Sequence, residues 1–588
     1  MTNKYKPSFL KNRKLFFFAQ YLLIIFILIS CNSKTPVITS INPKIGQIGE
    51  IITLNGSNFG SSRDEAYVTI AGVAPTNSSY FLWQDNMIII KVPELGESGL
   101  VYVHANGKKS NGVLFSNSAV VPKPIEGEEL GLQPRITSVN PASSAPGSLI
   151  IINGNNFGMS RENSLQSMLS RGSLETHITG VFFSWDYDSG PINPYMVREP
   201  EFIEVSEIEI GYEAWSAREI RVRLPDGAVS GNVEVRTAHG RSRPVFFEVS
   251  GKPGVKILKE KRSYIVTYSV DIRVHDATKP NTLYLWIPFP INSSSQRNVS
   301  LISRNVDPFI ENHHNVSLFK MDNLTAGINQ SVSHSFQVEV YTVETEIRPL
   351  AVRQDNNAQT RSALYAMHTQ SSDLIPSDDQ IIKTAVNSII GREQNPYLKA
   401  KLIYDWIIKN IEINDALYYN TNTDNTSLHA VLSTRQSDHY SAVRLFTSMA
   451  RAAGVPCIPI GGVLIDKGGQ TFQHHWAEFW IDAFGWLPVD PAMGAGAITL
   501  DSFHEPIVLH EETNNNKDLA SYYFGNIDNM RIAFSRGEHV LSQIENRGRL
   551  VSHTQSYSIQ NIWEEASGGL ESYSSLWGDI IISGVYVH

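Results

Sequence analysis

Residues 434–496 read TRQSDHYSAVRLFTSMARAAGVPCIPIGGVLIDKGGQTFQHHWAEFWIDAFGWLPVDPAMGAG, and their reading decides the fold. Tyr440, Val443, Phe446, Met449, Ala450 and Ala453 recur at helical spacing, which predicts an amphipathic helix. Ser437 or Asp438 can cap its start, Arg451 suits its last turn, and Gly454 followed by Pro456 stops it. Cys457 to Ile465 is short, apolar and interrupted by glycine, as a buried strand would be. From Thr471 the pattern alternates. Phe472, His474, Trp476, Glu478 and Trp480 share one face; Gln473, His475, Ala477, Phe479 and Ile481 share the other. A turn at Asp482–Gly485 leads into Trp486–Asp490, so a helix is followed by an antiparallel hairpin.

The order helix, Gly454-Val455-Pro456, strand, His474-x-Trp476-x-Glu478, then Gly485-Trp486 and Pro488-Val489-Asp490-Pro491 resembles the core of the transglutaminase-like superfamily. That superfamily shares its nucleophile logic with papain-like cysteine peptidases: a Cys opens the helix, a His lies on the following strand, and an Asp orients the His. The resemblance carries the His to His474 and the Asp to Asp490, and it puts His439 at the Cys position. Ser437 is no substitute, because two residues along a helix turn the side chain by about 200°. A helix N-terminus lowers a thiol pKa and can hold an oxyanion, whereas an imidazole there cannot carry out thiolate acyl transfer in the same way. The dipole disfavours protonation of His439, and Asp438 pushes the other way. A turn centred between Ala483 and Phe484 pairs position 474 with 493, so Asp490 would reach His474 only through a bulge at Pro488.

The neighbouring residues have plainer readings. His475 points away from His474 and is expected to be structural or exposed. Tyr440 is a helix-packing aromatic, Glu478 a charge at the sheet margin, and Cys457 a small buried hydrophobe. No cofactor is expected. His439 and His474 with either Asp438 or Asp490 would make the minimum for an open metal site, but no ligand motif such as H-x-x-x-H supports one, and no metal is expected.

The chain has 588 residues, enough for about four domains, and 42% of them are hydrophobic, ordinary for a folded protein. Residues 1–30 read as a signal peptide: Lys4, Lys6, Lys11, Arg13 and Lys14 are basic, and Leu15–Ile29 is apolar. Leu28-Ile29-Ser30-Cys31 resembles a bacterial lipobox, which implies lipid on Cys31, anchoring to a membrane, and a place in the cell envelope, periplasmic or surface-exposed. Cys457 is the one other cysteine, so no disulfide can form within the mature chain. The formal charge is −9, and the segment ahead of Cys31 carries five basic and no acidic residues. The remainder is more acidic still, which argues against nucleic acid as a partner.

The N-terminal half is a duplication. PVITSINP at 36–43 returns as PRITSVNP at 134–141, and LNGSNFG at 54–60 returns as INGNNFG at 152–158, at one constant offset. Short strands between Gly, Asn and Ser turns indicate two β-sandwiches, and the repeated pattern resembles the immunoglobulin-like IPT/TIG domain. By analogy such modules extend or bind. The domains are expected at 36–120 and 134–250, the second with a polar insertion at about 159–212. A β-domain is expected at 256–349, where Tyr264, Val266, Tyr268, Val270 and Ile272 alternate. The transglutaminase-like core is expected at 375–588, with helices at Asp379–Ile390 and Pro396–Ile411 and residues 521–588 completing its sheet.

The expected architecture is therefore multidomain: two all-β sandwiches, a β-domain and an α+β core. The functions this leaves open are a binding protein for peptide, amide or peptidoglycan ligands, an enzyme with altered chemistry, or an adhesin or scaffold whose core is inert.

Overall fold

The computed structural model describes residues 34–63, 66–93, 99–117, 133–158, 179–188, 201–206, 211–237, 239–313, 315–352, 363–414, 427–466, 468–497, 518–544, 548–551 and 557–587. Cys31, the signal peptide and much of the 159–212 insertion lie outside them.

The two repeats fold alike because their turns are locally fixed. In the first, Val37–Asn42 pairs antiparallel with Ile51–Ser57; in the second, Arg135–Asn140 pairs with Leu149–Asn155. The register shifts at the same place in each, between Ile38 and Ser40 and between Ile136 and Ser138. Glycine is required opposite the shift. A Cβ on Gly56 would lie 2.0 Å from the Val37 carbonyl oxygen, and one on Gly154 2.1 Å from that of Arg135. Asn58 and Asn156 then turn the chain at φ 62° and 63°, a region asparagine tolerates. Trp83 and Trp215 donate their indole N–H groups at 3.0 Å to the carbonyls of Phe59 and Phe157. Gly180–Trp185, inside the expected insertion, is a strand of the second module itself: Val181 pairs with Val235 as Val68 pairs with Val103. Only Glu201–Glu204, paired at the edge of Gly180–Trp185, has no counterpart strand in the first module among the described residues.

The β-domain opens with β1 (Gly254–Asp276), β2 (Thr282–Pro288), β3 (Gln296–Arg304), β4 (Ile310–His313), β5 (Val316–Asp322) and β6 (Asn329–Ile347). One sheet runs β3-β6-β1 and the other β4-β5-β2. The alternating Tyr264, Val266, Tyr268, Val270 and Ile272 point between the two, against Leu283, Leu285 and Phe319.

Next come α1 (Ala363–Thr369), α2 (Gln380–Ile390), α3 (Pro396–Asn410), α4 (Leu428–Thr434) and α5 (His439–Ala452). Asp379 caps α2 and Asn395 caps α3, each accepting two backbone N–H groups. The core sheet runs β9-β8-β7-β10, from β7 (Cys457–Ile465), β8 (Thr471–Ile481), β9 (Gly485–Val489) and β10 (Arg531–Arg536). One of its faces packs on the helices, with Ala477, Phe479 and Ile481 of β8 against Val443, Phe446 and Met449 of α5. The other face has a different partner. Ile460, Trp476 and Ala533 join Trp185, Ile220 and Val233 of the second module and Tyr341 of β6 in one continuous apolar cluster. Burying a residue as large as Trp476 there contributes about 2–3 kcal/mol.

Of the residues expected to complete the core sheet, 521–588, β10 does so, whereas the C-terminal strands β11 (Arg549–Val551), β12 (Glu564–Ala566), β13 (Ser572–Trp577) and β14 (Ile581–Val587) correct that expectation. They do not extend the core sheet. β12 adds to β2 with β11 beyond it, while β13 and β14 pair with β1. Alternation marks these residues as strands but does not say which edge they will join. Among the described residues no helix is long and apolar enough to cross a membrane.

Candidate active site

The helix α5 delivers His439 at its first position. Asp438 caps the helix by accepting the Ser441 N–H at 2.6 Å, and burial raises the Asp438 pKa against that hydrogen bond. Ser437, the alternative cap, instead donates its hydroxyl to the Asp438 carbonyl. Gly454, at φ 77°, ends the helix ahead of β7.

His474 of β8 binds Asp490 through Nε2, at 2.8 Å from Oδ2. The route by which Asp490 gets there differs from the expected bulge. The hairpin stays in register through Glu478 opposite Pro488 and Ala477 opposite Val489. At Asp490 the chain leaves the ladder and starts α6 (Pro491–Gly494), for which Asp490 is the cap, its Oδ1 accepting the Met493 N–H at 3.0 Å. One carboxylate therefore caps a helix and orients an imidazole together.

Arg531 of β10 is a third member that the sequence reading missed. Its Nη1 lies 2.9 Å from Asp490 Oδ2, and its Nη2 pairs with Asp528. All three groups of this ion pair network are buried. Burial acts to raise the Asp490 pKa, but His474 and Arg531 outweigh it and hold the carboxyl below its ordinary value. Asp490 is thus a carboxylate, and His474 donates its Nε2 proton to it. In the neutral ring this leaves Nδ1 as a lone pair, and that atom makes no hydrogen bond.

His439 lies beside that ring, with centroids 5.1 Å apart. His475 joins them, contrary to its expected place away from the site. It is buried, stacked on His439 at 18° and 5.1 Å, with the two Nδ1 atoms 3.1 Å apart. One of those atoms must carry the proton and donate to the other. Tyr440 closes the far side, its ring 4.8 Å from His475 and packed against Leu374 and Ile559. Burial, then the neighbouring imidazoles, push His439 well below its usual pKa, and His475 falls to about 3. The His439 and His475 rings are therefore neutral near pH 7.

The remaining sequence candidates fall outside this constellation. Cys457 is fully buried on β7, its thiol against the Thr447 hydroxyl and pushed up to about 12, first by burial. Glu478 pairs with Arg536 at 2.8 Å. Among the described residues no group of three His, Cys, Asp or Glu side chains is arranged to hold a metal ion.

With this geometry in place, comparison with known proteins gives the class. Residues 383–491 match the model of the Transglutaminase-like superfamily and residues 36–119 that of the IPT/TIG domain. The chain is thus a multidomain, strand-rich protein that carries an IPT/TIG domain and a transglutaminase-like domain. An uncharacterized protein of Haemophilus influenzae is 24% identical over 303 residues, covering 46% of this chain and 78% of that protein. A cyclomaltodextrin glucanotransferase of Paenibacillus macerans is 23% identical over 31% of this chain, a match that spans only 23% of the enzyme. Among solved structures, a candidate cysteine protease from Cytophaga hutchinsonii aligns at 14% identity and TM-score 0.31, covering 57% of this chain and 92% of that one.

Proposed function

We propose that this protein is a lipid-anchored lipoprotein of the bacterial cell envelope whose transglutaminase-like domain has lost thiol chemistry and binds peptide, amide or cell-wall ligands. The observation that carries the reading is the buried imidazole of His439 at the start of α5, beside the His474–Asp490 pair. On this reading His439 stands where the superfamily has its nucleophilic Cys. Cys457 cannot replace it, because a buried thiol with a pKa near 12 supplies almost no thiolate at neutral pH. Anchoring rests on the lipobox-like Leu28–Cys31.

A second reading, an enzyme with altered chemistry, is favoured by one feature. His474, Asp490 and Arg531 keep an oriented imidazole with a bare Nδ1, as a general base requires. Assays of the chain from Cys31 onward for amine incorporation into a glutamine donor and for peptide cleavage separate the two. No turnover is expected, with weak activity appearing in His439→Cys; robust wild-type turnover would overturn the binding reading. Cys31→Ala should abolish palmitate labelling and release the protein from membranes.

A further inference from the structure

On the outer side of the segment that leads into α5 is a groove of about 450 Å³ between α2, α3 and α4. Its apolar lining comes from Ile381, Ala385, Ile389, Trp406 and Leu432, and its one charged lining residue is Arg435. Several features mark it as more than a gap between helices. Ile381 is half exposed on α2, where burial on the opposite side of the helix would be ordinary. Arg435 sits in the left-handed conformation, φ 62°, as the residue that ends α4. Its guanidinium lies 4.7 Å from the centre of the Trp406 ring, a cation–π arrangement that leaves the guanidinium edge free for hydrogen bonds. Among the described residues no carboxylate pairs with Arg435. The acids adjacent in sequence to lining residues, Asp379 and Asp405, are occupied: Asp379 caps α2 and binds His429 at 3.0 Å, and Asp405 pairs with Lys401.

We propose that this groove is a second binding site, for the apolar carboxy-terminal residue of a peptide. Trp406, Ile389 and Leu432 receive the side chain and Arg435 receives the terminal carboxylate. A planar fork presenting paired N–H groups suits a carboxylate better than any neutral acceptor. The lining carries no negative charge to oppose it. A groove of this size fits one or two residues rather than a folded partner.

Its position ties it to the histidine cluster. The Arg435 carbonyl accepts the Glu412 N–H at 2.8 Å, Gln436–Ser437 pair with Glu412–Ile413, and His439 follows directly after the cap. A peptide held at its end by Arg435 would be anchored on the chain segment that positions His439. This deepens the proposed function and rests on its reading of the ligand as a peptide.

The test titrates the chain from Cys31 onward with the tripeptide acetyl-Ala-Leu-Phe as free acid and as carboxamide, by calorimetry. The free acid should bind at least tenfold more tightly than the amide, and Arg435→Gln should remove that preference. Ile381→Glu places a carboxylate on an already half-exposed position and should weaken the acid but not the amide. Equal affinity for acid and amide, or an acid preference that survives Arg435→Gln in protein with an unchanged melting curve, overturns the proposal. His439→Ala is the separating control: loss of amide binding in it speaks for the histidine-cluster reading, and acid selectivity that persists in it speaks for the groove alone.

Discussion

The two immunoglobulin-like modules are copies in sequence and in local structure, yet they stand in different relations to the rest of the protein. The first keeps a core of its own, built from Ile52, Leu54, Val68 and Val103. It touches the rest of the chain through Leu82, Met87 and Ile89 against α1, and through the Ser78 N–H to the Ser542 hydroxyl at 3.0 Å. The second has no separate core. Its interior runs without a break into β6, β7, β8 and β10. Lys256 fixes the junction, binding Asp226 of the module at 2.7 Å and the Trp486 carbonyl at 2.6 Å. Asp226 also fills the space where a Cβ on Gly485 would stand, 2.1 Å away. A duplicated unit can thus supply one appendage and one structural wall, and the repeat itself does not say which copy does which.

The largest test of this contrast is truncation. A chain beginning at residue 133 should fold and melt as one cooperative unit. A chain beginning at 251 should aggregate, because it exposes Trp476, Ile460 and Ala533, and soluble, cooperatively melting protein from it would break the comparison. Next in size is Asp226→Ala, which leaves the buried Lys256 ammonium unpaired and should cost about 3–5 kcal/mol in urea unfolding. Charge reversal on the surface of the first module should cost far less.

Acid gives a third test. Burial lowers the pKa of His334 and of His539 to about 4, and that of His475 to about 3. Each is depressed below the unfolded value near 6.5, so the unfolded chain takes up protons first. The stability from the neutral rings is present above pH 6.5 and is lost as pH falls through the window down to about 4 or 3. At pH 4.5 the loss is about 2–3 kcal/mol for each ring. His104 is the first module's single described histidine and lies on its surface sheet. The main unit should therefore melt in acid before the first module does, and chemical-denaturation curves at pH 4.5 and 7.5 that move both transitions equally would refute this.

The smallest test uses the shared tryptophan. Trp83→Phe and Trp215→Phe each remove one indole hydrogen bond, at about 1–2 kcal/mol. The first should shift only the first module's transition, and the second should shift that of the main unit.

What the sequence disclosed was whatever is settled locally. The repeat was legible because Gly56, Asn58 and their counterparts answer to their own backbone, and the helix and hairpin around His439 and His474 because period and capping fix them. Distant partners were not. Asp490 reaches His474 by leaving its ladder at a helix cap, which register arithmetic cannot foresee. His475 was set aside by strand alternation, a rule that assigns a face without knowing that α5 lies across it. Arg531 had one faint signal, its spacing from Asp528 at the start of an apolar strand.

The return of β13 and β14 to β1 sets an order in time. Trp577 pairs with Val270 and Val587 with Arg262, so the β-domain closes only when the end of the described chain arrives, with the whole transglutaminase-like domain made in between. During synthesis the long β1 edge waits unpaired, and an open edge of that kind is a template for the wrong strand. A product cut short before residue 572 would carry an intact histidine cluster on a protein with an open seam. For such a chain the fate of the last strands, rather than the chemistry of the site, would decide whether it stays folded.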